Sequence, residues 1–227
     1  NSLGKKFAKY CKVHLIDLRN HGRSPHSDEF SYEVMCEDVL EYMKDHNIQK
    51  PILLGHSLGG KVAMKFAFTH PDKIEKLIVA DISPRFYPIH HDQILEGLSS
   101  LDFNALESRT EADKTLSHYV SDFGTRQFLL KNLYWVEKGK LGLRMNLEVL
   151  KTNVEEIGEA LPISNTFSGD TLFLRGDKSE YIALNDTSLI KMQFPNSSIE
   201  TIANAGHWLH AESPERFYNE VMGFCLM

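Results

Sequence analysis

Hydrophobic and polar positions along the chain follow two alternating periods. Unbroken apolar runs, rich in leucine and β-branched residues, occur at Val13–Leu18, Ile52–Leu54, Leu77–Ile82, Thr171–Leu174 and Ile199–Ile202. Runs this short and continuous suit strands buried on both faces, as in a parallel sheet. Between them the apolar positions recur every three or four residues. Tyr32–His46 carries Val34, Met35, Val39, Leu40, Tyr42 and Met43 in that spacing, with Ser31 placed to cap it. Leu58–Thr69 reads as a second helix, closed by His70-Pro71, and Glu215–Phe224 as a third, after the capping pair Ser213-Pro214. Strands alternating with helices predict an α/β class: a doubly wound, mostly parallel sheet joined by crossovers.

One region breaks the alternation. Between Pro84 and Pro162 no strand run is evident, only helical periods at Gln93–Leu98, Ala112–Ser121, Arg126–Leu133 and Leu147–Ile157. A structureless loop of that length does not belong in a compact domain. The expectation is a helical cap insertion over residues 84–162, set over one edge of a core formed by residues 1–83 and 163–227.

Composition narrows the class without changing it. The chain has 227 residues, of which 42% are hydrophobic and 25% charged, enough for a sizeable core. A net charge of −6 without long like-charge runs argues against nucleic acid or anionic membrane as the main partner. No apolar stretch reaches the roughly 18–20 residues of a membrane span. Cys11, Cys36 and Cys225 are too few and too scattered for a disulfide framework or a zinc cluster, and their odd number favours a reducing compartment.

The chemistry gathers at Gly55-His56-Ser57-Leu58-Gly59-Gly60, between the run Pro51–Leu54 and the helix Leu58–Thr69. A Gly-x-Ser-x-Gly turn between strand and helix is the setting that presents a serine nucleophile. The turn strains the serine backbone, by roughly 1–3 kcal/mol. Gly55 and Gly59 are expected to remove clashing Cβ atoms, and Gly60 to let the helix approach the sheet. A serine hydroxyl needs a histidine base to act as a nucleophile. Among eleven histidines, His207 stands out, because Asn204-Ala205-Gly206-His207-Trp208 is a small-residue turn after the last strand. In a doubly wound sheet that turn shares the carboxyl edge with Ser57. His210 is the next candidate, and His56, adjacent to the serine, is expected to point away from it. His90-His91 lacks the carboxylates or cysteines that would make a metal site.

Four stretches resemble the α/β-hydrolase superfamily: DLRNHGRS (Asp17–Ser24), LLGHSLGGKVAM (Leu53–Met64), LIVADISP (Leu77–Pro84) and NAGHWLHAESP (Asn204–Pro214). The Asp-Ile-Ser-Pro tetrad and the cap sequence RQFLLKNL are most similar to the group holding the bacterial YbfF-type esterases and the animal α/β-hydrolase domain-containing protein 11. The resemblance implies a serine esterase or thioesterase acting on a small acyl ester or thioester. It implies no cofactor and no metal, with Ser57 as nucleophile and His207 as general base. It also implies a mitochondrial location, the other expectation being cytoplasmic. The alternative from another class is a catalytically idle member of the fold that binds a ligand or partner.

The acid is open at this level. Aligned on the strand and glycine of Arg175-Gly176-Asp177-Lys178-Ser179, the superfamily's usual acid position holds Ser179, and Asp177 falls two residues early. The related esterases use an aspartate at the end of the preceding strand, and Asp81 matches it. Asp81 is therefore preferred, Asp177 is second and Glu148 third. Leu58 N–H is the expected oxyanion donor. His21-Gly22 belongs to the D-x-R-x-H-G-x-S turn, which its arginine and histidine should brace. The superfamily's His-Gly oxyanion turn and its neighbouring strand are expected upstream, so Val13–Leu18 and Ile52–Leu54 should not pair directly.

Overall fold

The computed structural model describes residues 2–88 and 92–226. In chain order it contains α1 (Ser2–Phe7), α2 (Tyr32–Asp45), β1 (Ile52–His56), α3 (Leu58–Thr69), β2 (Lys76–Ala80), α4 (Asp92–Ser99), α5 (Arg109–Leu116) and α6 (Phe123–Leu130). There follow β3 (Leu133–Glu137), β4 (Lys140–Leu143), α7 (Leu147–Thr152), α8 (Val154–Gly158), β5 (Thr171–Gly176), α9 (Asp186–Gln193), β6 (Ser197–Ile202), α10 (Leu209–Glu212) and α11 (Pro214–Leu226).

Four strands pair in parallel in the order β1-β2-β5-β6. Side chains alternate across this sheet as the two-residue period requires. Ile78, Ala80, Leu172, Leu174 and Ile202 share one apolar cluster with Phe217, Val221 and Phe224 of α11. On the other parity, a Cβ on Gly60 of α3 would meet Val79, and Phe173 packs edge-on to Phe194. Every residue of β2 is buried, and after Lys76 its sequence is an unbroken apolar run.

The chain divides into two compact units. One holds residues 1–16, 32–87 and 159–227, and the other residues 17–31 and 88–158. The second unit has its own core, with Leu98, Leu101, Ala112, Leu116, Leu129 and Leu130 among its buried members. Arg126 ties α6 to α5 through Asp113 at 2.8 Å. The D-x-R-x-H-G-x-S turn belongs to this unit, because the Asn146 amide donates to the Asn20 carbonyl at 2.9 Å. Within the turn, Asp17 Oδ2 accepts from the Arg23 amide, Arg19 donates to the Glu29 carbonyl and His21 Nδ1 donates to the Arg19 carbonyl. Its arginine and histidine brace the loop.

Three expectations need correction. Val13–Leu18 is not a strand: it has no ladder partner among the described residues, and Leu15 and Ile16 are 65% and 41% exposed. An apolar run becomes a strand only where neighbouring backbone accepts its hydrogen bonds. It is not paired with β1, which has β2 alone as its neighbour among the described residues. The insertion is not all helical either, since β3 and β4 form an antiparallel hairpin turned at Gly139, φ 83°. Leu133, assigned from its period to a helix, is the first residue of β3, and the period Leu147–Ile157 divides into α7 and α8 at Asn153.

Candidate active site

Three of the parallel strands, β1, β2 and β5, hand the amide that follows them to a carbonyl of the neighbouring strand. Ser57 N–H donates to Ala80 O at 3.0 Å, Asp81 N–H to Leu174 O at 2.8 Å, and Asp177 N–H to Ile202 O at 3.1 Å. The residues that follow the strands are therefore fixed by the sheet itself. Ser57 has φ 52° and ψ −120°, and Asp81 has φ 50°. These are positive-φ conformations that non-glycine residues keep only when their surroundings impose them.

Ser57 occupies the N-cap position of α3, where a serine ordinarily bonds a first-turn amide. Its side chain makes no such bond. The hydroxyl instead lies 3.0 Å from His207 Nε2. His207 Nδ1 lies 2.8 Å from Asp81 Oδ2. A carboxylate can only accept, so Nδ1 carries the proton, which leaves Nε2 free to accept from Ser57. The Asp81 side chain is fully buried, and a buried charge needs donors. It has three: His207 Nδ1, the Gly176 amide to Oδ1 at 3.1 Å, and the Ser179 hydroxyl to Oδ2.

The two other candidate acids have other partners. Asp177 is exposed and accepts from the Ala205 amide at 3.0 Å, and the backbone amides of Asn204 and Ala205 hold its carboxyl below the usual range. Glu212 takes the amides of Gly206 and Trp208 at 2.8 and 3.1 Å. These two carboxylates thus pin the backbone on either side of His207. Glu148 is exposed on α7 and faces Lys151.

His56 turns its Nε2–H away from the serine, to the His207 carbonyl at 2.8 Å. Burial above all, then the nearby His207 and His210, push its imidazole down to about 3, so it is neutral. The His210 ring stands 4.8 Å from that of His56. It is half-buried rather than solvated. His90 and His91 lie outside the described residues, and no group of three or more potential metal ligands occurs among those described.

Two buried or half-buried side chains that the sequence alone did not single out stand out, one against His207 and one within α3. Tyr181 stacks on the His207 imidazole with ring centres 3.9 Å apart and planes 21° apart. Lys61, wholly buried in α3, gives its ammonium to the carbonyls of Arg85 and Glu159, and burial pushes it down to about 7. A lysine inside an otherwise apolar helix face was the signal available for the second. Nothing local marks the first.

The glycines divide by geometry. A Cβ on Gly55 would stand 2.1 Å from the Gly59 carbonyl oxygen, and one on Gly60 would stand 2.5 Å from an Ile82 methyl. Gly59 has open space instead, so the steric duty expected of it falls on Gly55 alone.

A parallel sheet with a positive-φ serine turn between strand and helix, the serine in contact with a histidine and the histidine with an aspartate, is an arrangement that suits the α/β-hydrolase fold. The chain belongs to that family, whose profile matches residues 1–214. Among its relatives, the mouse sn-1-specific diacylglycerol lipase ABHD11 is 37% identical over 232 residues, spanning 99% of this chain and 75% of the mouse protein. The Escherichia coli esterase YbfF is 32% identical over 203 residues, covering 88% of this chain and 77% of its own. A marine microorganism esterase of known structure superposes with a TM-score of 0.93 at 40% identity, over 98% of this chain and 88% of that one. No helix among the described residues is long and apolar enough to cross a membrane.

Proposed function

We propose that the protein is a serine hydrolase that cleaves carboxylic esters or thioesters through an acyl-enzyme on Ser57. The observation that carries this reading is the unbroken relay from Asp81 through His207 to Ser57, at 2.8 and 3.0 Å. In the first step Ser57 Oγ bonds the ester carbonyl carbon while its proton passes to His207 Nε2, and the carbonyl π electrons move onto oxygen. Collapse of this intermediate breaks the bond to the leaving oxygen or sulfur, which takes the proton from Nε2. Water then repeats the sequence on the acyl-enzyme, releasing the acid and restoring the serine. Asp81 holds the imidazole in the required tautomer and stabilises its cation. Leu58, at the start of α3, has an amide without an intrahelical acceptor and supplies one donor to the oxyanion. No step calls for a cofactor or metal. The relatives named as esterase and lipase support an ester as substrate.

The test is Ser57→Ala. It is expected to lower turnover of a p-nitrophenyl ester series by about 10⁴-fold or more and to abolish labelling by a fluorophosphonate probe. Labelling or turnover that survives the substitution would sink the reading. The same ester series, graded by acyl length, identifies the acyl preference.

A further inference from the structure

We propose that Tyr181 is a positioning residue for the base, its ring face stabilising the protonated imidazole that His207 becomes when Ser57 gives up its proton. The inference rests on the serine-hydrolase reading above. A near-parallel stack at 3.9 Å lies well inside the roughly 6 Å over which a cation is attracted to an aromatic face. Neutral imidazole gains only dispersion from such a stack. Imidazolium gains the attraction of the ring quadrupole as well, so the contact strengthens as the proton arrives, and interactions of that kind lower a barrier.

The ring is held in place before the reaction. The Tyr181 amide donates to the Ser179 hydroxyl at 3.2 Å, the same hydroxyl that donates to Asp81. The Tyr181 carbonyl accepts from the Tyr87 hydroxyl, which itself accepts from the Ser83 amide at 2.8 Å. Tyr87 stacks on Tyr181 at 5.4 Å, and the Arg85 guanidinium covers Tyr87 at 4.0 Å. The result is a column of four planar groups, Arg85–Tyr87–Tyr181–His207, whose far end is pinned by Asp186 at 3.2 Å. The other groups facing His207 are Asp81 at Nδ1, Ser57 at Nε2, the neutral His56 ring at 4.7 Å and Trp208 at 5.1 Å. Asp81 also favours the cation. Arg85 opposes it, from beyond two intervening rings and paired to Asp186.

Three substitutions at this position test the idea. Tyr181→Phe keeps the ring face and should stay within about twofold of the wild-type kcat. Tyr181→Leu removes it and should lower kcat by about 3- to 30-fold with KM little changed. The acid limb of its pH–rate profile should move down by about 0.5–1 unit. A fluorinated phenylalanine at position 181 keeps the shape but withdraws electrons from the face, and should behave as the leucine variant does. This third variant decides the matter even if Tyr181→Leu fails to fold. A fluorinated variant that matches Tyr181→Phe in both kcat and acid limb would reduce Tyr181 to packing and overturn the proposal. NMR titration of the His207 ring, assigned by its loss in His207→Gln, reads the same displacement without catalysis. It therefore separates failure of this proposal from failure of the Ser57 reading, which Ser57→Ala tests alone.

Discussion

His207 is fixed at its ring by Asp81 and along its backbone by Asp177 and Glu212, which accept from the flanking amides, and by His56, which donates to its carbonyl, and the substitutions at these partners should differ accordingly. Asp81→Asn keeps the shape but removes the only charge at Nδ1, with an expected loss of order 10²–10⁴ in kcat. Asp177→Asn leaves an oxygen for the Ala205 amide and should cost less than about tenfold. The reverse ranking in steady-state kinetics would move the acid to Asp177. His56 gives a prediction about stability rather than rate. The native state binds no proton at His56 until the pH nears 3, whereas an unfolded histidine binds one near 6.5. The unfolded state therefore holds more protons between those values, and stability falls as pH drops from about 6.5 towards 3, by up to about 1.4 kcal/mol per pH unit. Urea unfolding across that range should show a component that is missing in His56→Asn. Ser57 and His207 were legible as residues because each stands in a small-residue turn after a strand. Asp81 was legible through resemblance, beside an unusual serine at position 179. The bond between that serine and Asp81 was not, nor was the Tyr181 stack, since contacts across such sequence distances leave no periodic trace.

In α3 the sequence reading and the structure agree on both boundaries, because a strained turn starts the helix and His70-Pro71 stops it. The helix packs its Gly60 face so closely on the sheet that Gly60→Ala and Gly55→Ala should each lose more than about 2 kcal/mol in chemical denaturation. Gly59→Ala, with open space around it, should stay within about 0.5 kcal/mol or gain from reduced chain entropy. Equal losses at 55 and 59 would show that the turn differs from the one described. Lys61, two positions further on, carries the opposite pH signature from a stabilising ion pair. Its ammonium is pushed down to about 7 from an unfolded value near 10.5. The unfolded state holds the extra proton between those limits, so stability should rise with pH from about 7 to 10, and Lys61→Met should flatten that rise. The hairpin β3–β4 shows where reading by period fails. Glu137-Lys138-Gly139-Lys140 is a turn signal between apolar residues, but the stronger helical periods on either side concealed it. Val13–Leu18 failed the other way: its composition is that of a strand, but a strand also needs a neighbour, and composition cannot supply one.

Across the whole molecule the apolar runs that were easiest to read are those buried on both faces, in β2 and β5. The strand β6, with exposed positions along its length, was recognised only from Ile199 onward. The same difference should appear in amide hydrogen exchange, slowest in Leu77–Ala80 and Leu172–Leu174 and faster in β6. Protection of β6 equal to that of β2 and β5 would contradict this difference in burial. The position of Asp81 on the strand next to the serine has one more consequence, and it concerns time. Ser57 and Asp81 belong to one continuous β1–α3–β2 segment, while His207 is separated from them by 150 and 126 positions. Local segments close early in folding, and distant ones wait on the larger entropy of loop closure. A refolding chain should therefore bring the proposed nucleophile and acid together first and acquire its base last. Recovery of fluorophosphonate labelling would then time the docking of β5 and β6, and should lag behind the return of helical circular dichroism.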